Sequence, residues 1–123
     1  MTINEAIAAV DGLRNNQIPE DVKRAMLSEL DGRIYREVIA PESVDFTGYN
    51  TETNSETVLL VPYPYDGLYV NYLEMEIARI NAEMPRYNNA AIVFNEKYAA
   101  YKRWYNRTHT RPSAGIVFPT RRY

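Results

Sequence analysis

The sequence predicts an all-α protein: a small four-helix bundle with a long central loop and an extended C-terminal arm. Three observations lead there. Apolar residues recur at spacings of three and four over four separate stretches. Polar, proline-punctuated segments divide those stretches, at residues 41–57 and again beyond His109. The chain has 123 residues and 46 % hydrophobic content, which allows one core and one domain. The expected division is a helical domain over residues 1–109, with loop 41–65 between its second and third helices, and an arm over 110–123.

Each element has its own signal. Thr2-Ile3-Asn4-Glu5 reads as a capping box, the hydroxyl bonding back onto the first turn and Glu5 reciprocating. Ile3, Ile7, Val10 and Leu13 continue at helical spacing until Asn15-Asn16-Gln17 ends the helix. Pro19-Glu20-Asp21 starts a second helix, because proline is pre-set for a first turn and acids suit the positive end of the helix dipole. Val22, Met26, Leu27, Leu30, Ile34 and Val38 form its apolar face, and Pro41 stops it. Gly32 sits inside this helix at a cost of up to about 1 kcal/mol against alanine, which close packing of another element would explain. Residues 41–57 are polar and turn-rich, a length of loop that is usually functional or mobile. Val58–Val61 is a short apolar run, strand or extended, and Pro62 and Pro64 keep the backbone extended up to Tyr65.

Asp66 is placed to cap a third helix, in which Leu68, Tyr69, Tyr72, Leu73, Ile77, Ile80 and Met84 form one broad stripe. Pro85 ends or kinks it. A fourth helix starts near Tyr87 or Asn88 and runs to about Thr108, with Ala91, Phe94, Tyr98, Tyr101, Trp104 and Tyr105 at spacings of three and four. The rest holds Pro112, Gly115 and Pro119 around one apolar island, Ile116-Val117-Phe118, and is read as an arm.

Charge divides the chain. All sixteen acidic residues lie between Glu5 and Glu96, while seven of the fourteen basic ones follow Glu96, leaving a body of −9 and an end of +7. Such a split points to an acidic partner: nucleic acid, a membrane surface, another protein or the front of an identical copy. Lys97, Lys102, Arg103 and Arg107 load the end of the fourth helix, where cations match the negative dipole end. Arg111, Arg121 and Arg122 bracket the apolar island of the arm. Three β-prone residues between prolines suit addition to the edge of another sheet, with arginines anchoring the ends. No apolar run approaches the roughly 20 residues of a membrane helix. Met1-Thr2-Ile3-Asn4-Glu5 has no signal-peptide core, and the chain has no cysteine, which fits synthesis in a cytoplasm. Eleven tyrosines, eight of them between Tyr63 and Tyr105, suit surfaces half-buried between subunits.

Signals for chemistry are weak. His109 is the single histidine, so no set of converging metal ligands is legible and no cofactor is expected. Glu74 and Glu76 lie two apart on a helix and point to different faces, as do Glu29 and Asp31. Asp45 and Glu52 read as solvated loop acids, and Thr47-Gly48-Tyr49 as a turn. Ser28, Ser43 and Ser55 have no histidine nearby in sequence. No glycine-rich phosphate loop is present. The expectation is a protein that is not an enzyme. Basic residues interleaved with aromatics from Lys97 to Arg107 also suit base stacking, so a small nucleic-acid-binding module stays open as an alternative, although a net charge of −2 is unlike most such modules.

Longer segments carry a resemblance. Leu60-Val61-Pro62-Tyr63-Pro64-Tyr65-Asp66-Gly67-Leu68-Tyr69, Tyr72-Leu73-Glu74, Glu83-Met84-Pro85-Arg86-Tyr87-Asn88-Asn89-Ala90 with Phe94-Asn95, and Trp104-Tyr105-Asn106-Arg107-Thr108-His109 together resemble small virion proteins of tailed phages and of prophages of Gram-positive bacteria. Leu27 to Tyr35 belongs to the same pattern. The resemblance covers most of the chain outside 41–57. In plan the chain is similar to head–tail connector (adaptor) proteins of the virion. That resemblance implies a ring of copies, typically twelve, beneath the portal protein. The ring would extend the DNA channel towards a tail-side stopper or completion protein, with DNA passing through without specific binding. It implies no catalytic residues. It assigns Arg111, Ile116, Val117, Phe118, Arg121 and Arg122 to an arm that binds the portal or a neighbour. Tyr98, Lys102, Arg103, Tyr105 and Arg107 become a subunit interface. Asp45, Phe46, Tyr49, Glu52 and Glu56 become a loop facing the channel or the next ring. A head-completion stopper or tail-completion protein is the nearest alternative.

Overall fold

The computed structural model describes residues 1–13, 15–39 and 46–109, and it is all-α. Helix α1 spans Ile3–Leu13, α2 Glu20–Ile34, α3 Leu68–Ile80 and α4 Met84–Thr108, with a π-helical turn at Tyr35–Ile39 extending α2. The capping box forms as read: the Glu5 amide donates to Thr2 Oγ1 at 3.1 Å and the Thr2 amide to Glu5 Oε1 at 2.9 Å. From α2 onward, successive helices run antiparallel. Tyr69 and Tyr72 of α3 meet Asp31 and Glu29 of α2 in reverse order, and Tyr72 packs on Phe94 while Tyr65, before α3, packs on Tyr101 and Trp104 of α4. The core combines Ile3, Ile7 and Val10 of α1 with Leu27, Leu30 and Ile34 of α2. Leu68, Tyr69, Leu73 and Ile77 of α3 and Phe94, Tyr98 and Tyr101 of α4 complete it.

Several boundaries differ from expectation, each for a local reason. The second helix does not stay α-helical towards Pro41, because its last turn widens to a π-helix after Ile34. Gly32 is not forced by close packing. A Cβ there would meet the Phe46 ring at 3.9 Å, an ordinary contact. Asp66 does not cap α3; its carboxylate pairs with the Met1 ammonium at 3.4 Å, and Gly67 stands at the cap. Pro62 and Pro64 do not keep the chain extended. Tyr65 N–H bonds the Pro62 carbonyl at 2.9 Å across a turn whose Tyr63–Pro64 bond is cis. Pro85 belongs to the first turn of α4, where its missing N–H has no helical partner to lose, so α4 starts three residues before Tyr87. Ile80 and Met84, placed on the buried stripe by spacing, are exposed, as are Leu13 and Val22. Val58–Val61 forms no strand; one antiparallel bridge joins Val58 to Thr2.

Candidate docking surfaces and the polar clamp that shapes them

The segment 46–61 is tied to the bundle by two charged residues of α2. Arg24 is 6 % exposed and donates from Nη1 to the carbonyls of Asn50 and Thr53, at 2.9 and 2.7 Å, and from Nη2 to Ser55 Oγ at 2.6 Å. Its Nε pairs with Glu20 at 3.1 Å. A planar guanidinium suits this role, because its donors diverge in a fixed fork and can gather several carbonyls of a turn. Asp31 is fully buried and accepts three bonds, from Tyr49 Oη at 2.6 Å, Tyr69 Oη at 2.6 Å and the Leu60 amide at 3.1 Å. The Tyr69 hydroxyl in turn accepts from the Val61 amide at 2.8 Å. Burial pushes the Asp31 carboxyl above its ordinary range despite the three donors, and burial together with the facing carboxylate pushes the Tyr49 and Tyr69 hydroxyls up. Ser28 adds a further tie, accepting from the Tyr49 amide at 2.9 Å. Gly48 makes that approach possible: its φ is +86°, and a Cβ would lie 2.6 Å from Ser28 Oγ.

The proposed channel-facing loop residues therefore separate. Phe46 packs between Tyr35 and Tyr49, and Tyr49 reaches Asp31, so both turn inward. Glu52 and Glu56 are exposed. Asp45 lies outside the described residues. Sequence reading weighs Asp31 only beside Glu29 as a candidate acid pair and passes over Arg24. The usable signal was position: Arg24, Leu27, Asp31 and Ile34 succeed one another at spacings of three and four, on the buried stripe.

The proposed subunit interface on α4 also divides. Tyr98 is buried. Its hydroxyl donates to Glu37 at 2.7 Å, and Arg33 lies over its ring at 4.7 Å. That hydrogen bond, with Arg33 beside it, holds the Glu37 carboxyl below its ordinary range. Tyr98 thus joins the π-helical turn to α4 and is not a free interface side chain. Lys102 is half-buried, 5.5 Å from the Tyr98 ring. Tyr105 is half-buried and stacks flat on His109 at 3.9 Å. Arg103 and Arg107 are exposed and carry no ion pair among the described residues. Arg111, Ile116, Val117, Phe118, Arg121 and Arg122 lie outside the described residues.

The aromatic end of α4 packs on itself. Trp104 lies against Tyr65, Tyr101, Tyr105 and His109, with centroids 5.3 to 6.4 Å apart. Tyr63 is the one exposed aromatic among the described residues, at 85 %. Rings that stack on one another have few free faces for bases, whereas Arg103 and Arg107 beside them are exposed. The surface therefore suits point charges such as carboxylates better than unstacked bases.

Among the described residues no group of three or more His, Cys, Asp or Glu side chains is placed to hold a metal ion, and no helix is long and apolar enough to cross a membrane. The fold and its surfaces define a small all-α bundle with a clamped central loop and a basic helix end. Comparison with protein-family models, with curated proteins and with solved structures finds no match to this chain.

Proposed function

We propose that the chain is a non-enzymatic structural protein of a tailed-phage virion, a head–tail adaptor that forms a ring under the portal protein and extends the DNA channel towards the tail. The observation that carries this reading is the presence of two oppositely charged exposed surfaces on one small bundle. Glu5, Glu20, Asp21, Glu52 and Glu56 stand exposed on α1, α2 and the central loop, whereas Lys97, Arg103 and Arg107 stand exposed on the later turns of α4. A ring needs two different, complementary surfaces on every copy. The buried Asp31 carboxylate is bonded by the Tyr49 and Tyr69 hydroxyls, an arrangement that holds a loop. The virion-protein resemblance supplies the setting: portal above, stopper or completion protein below, and the arm with Arg111, Ile116, Val117, Phe118, Arg121 and Arg122 as the portal grip.

The test is co-sedimentation and electron microscopy of the protein mixed with portal particles from the same phage genome. Ring density beneath the portal is expected, and removal of residues 110–123 should abolish it while leaving the helical circular dichroism intact. Salt-dependent binding to DNA without portal binding would instead favour the nucleic-acid module. An acidic channel wall lets DNA slide, so the assembled ring should show no micromolar DNA affinity at physiological salt.

A further inference from the structure

The antiparallel bridge between Thr2 and Val58 has an open edge. The Ile3 amide donates to the Thr57 carbonyl at 3.0 Å and the Leu59 amide to the Met1 carbonyl at 2.9 Å, on either side of the pair. In that pattern the two facing residues exchange no bond, so the N–H and C=O of Val58 point away from Thr2. Among the described residues neither group makes a backbone hydrogen bond. Side chains alternate along the same segment. Leu59 and Val61 are buried, whereas Val58 is 67 % exposed, Leu60 is half-buried and Pro62 is exposed. Unpaired backbone beside an outward apolar row is a template for an added strand.

The end of α4 leads to this place. Trp104 packs on Tyr65 with centroids 5.3 Å apart; the next residue, Asp66, pairs with the Met1 ammonium at 3.4 Å; and Met1 bonds Leu59. The last turns of α4 therefore stand at the bundle end that carries the bridge, on the side of Pro62 and Tyr65. Six residues separate His109 from Ile116, a reach of up to about 20 Å when extended. The β-prone run Ile116-Val117-Phe118 comes next, and Pro119, which has no N–H to give a ladder, follows it. Entry from the Tyr65 side makes this run antiparallel to residues 57–62 and carries Arg121 and Arg122 on towards Glu56 and Glu52. Both glutamates are exposed and have no ion pair among the described residues.

We infer that residues 116–118 add as a short antiparallel strand to the Val58 edge of their own chain, covering Val58 and Pro62, with Arg121 and Arg122 facing Glu56 and Glu52. The tether selects the chain's own segment over a second copy's, because a segment held within reach acts at an effective concentration on the order of millimolar. The inference goes beyond the adaptor reading and stands without it. It says where the arm rests in the free protein; an arm that grips the portal leaves this edge to do so.

The chain has no cysteine, so a cross-link reports only the residues introduced. Val58→Cys and Val117→Cys in one full-length chain, treated with a short bis-maleimide in dilute solution, should give an intrachain cross-link, read by mass spectrometry of the digested monomer. Ile92→Cys in place of Val58→Cys is the control, exposed on α4 about 26 Å before His109, and should give little. Arg121→Glu with Arg122→Glu should lower the Val58–Val117 yield at least about threefold, Glu52→Arg with Glu56→Arg should do the same, and all four together should restore it. A yield no higher than the Ile92 control, a yield unmoved by either charge reversal, no restoration by the combined change, or a product that is interchain and falls with dilution overturns the inference. Portal co-sedimentation of the wild type is read separately: binding without the intrachain link leaves the adaptor reading standing, and the link without binding sinks that reading alone.

Discussion

Replacing Asp31 by alanine tests the centre of the fold. The substitution removes the acceptor of three donors at once: the Tyr49 hydroxyl, the Tyr69 hydroxyl and the Leu60 amide. Each buried donor left unsatisfied costs about 1–3 kcal/mol. Against that, the fold no longer has to bury a carboxylate, a cost that the upward push on its pKa reveals. The balance is a loss of about 3 kcal/mol, a large share of the 5–15 kcal/mol that hold a typical domain together. Urea unfolding followed by the fluorescence of Trp104, the single tryptophan, should then show its midpoint fall by about 1–2 M. Asp31→Asn keeps the shape and one acceptor oxygen, so its loss should be smaller. A pH series adds a sign. The folded pKa of Asp31 is raised, so its stabilising effect is fullest below its ordinary value of 3.8 and is lost as pH rises through the folded value. The advantage of wild type over Asp31→Asn should therefore shrink as pH rises above the ordinary value of 3.8. Loss below about 1 kcal/mol for Asp31→Ala would show that water satisfies these donors and that the clamp is not buried in solution.

Other substitutions probe the remaining ties. Arg24→Ala should lower stability by about 2–3 kcal/mol and raise amide exchange between Asn50 and Thr57, because two turn carbonyls and Ser55 lose their donor. The two glycines should respond oppositely in thermal unfolding. Gly32→Ala should stabilise by up to about 1 kcal/mol, since helix propensity improves and the new methyl meets Phe46 at an ordinary distance. Gly48→Ala should destabilise by at least about 1 kcal/mol, through its positive φ and the clash with Ser28 Oγ. Glu37 is bonded to Tyr98 and has a lowered pKa, so the stability it adds is present above its ordinary value of 4.5 and disappears as pH falls through the folded value. Glu37→Gln should flatten that acid limb of the stability profile; an unchanged limb would remove Glu37 from it.

Much of the architecture was legible locally. The capping box, the helix starts at Thr2 and Pro19 and the aromatic stripe of α4 depend on neighbours within one or two turns, and sequence displays such neighbours directly. Errors gathered where a residue's role depends on a distant partner. Asp66 has the residue type of a cap but is engaged by the Met1 ammonium. Tyr98 has the type of an interface residue but is held by Glu37 and Arg33. Pro85 reads as the end or a kink of the third helix, and the tight connection from α3 to α4 puts it in the first turn of α4 instead.

By itself the sequence determined the all-α class, the existence of four helices, the polar loop between the second and third, and the separation of an acidic body from a basic end. These follow from periodicity, capping chemistry and composition, which are properties of short stretches. Tertiary structure decided that this loop is fastened, and by what. Arg24 and Asp31 are hydrophilic by type and buried by position. Their charges are tolerated inside because donors and acceptors from Asn50, Thr53, Leu60 and Tyr69, as many as 38 residues away in sequence, converge on them. The same packing brings Asn71 and Glu74 of α3 and Arg86 of α4 to one groove, a juxtaposition of two helices that no single helix pattern contains.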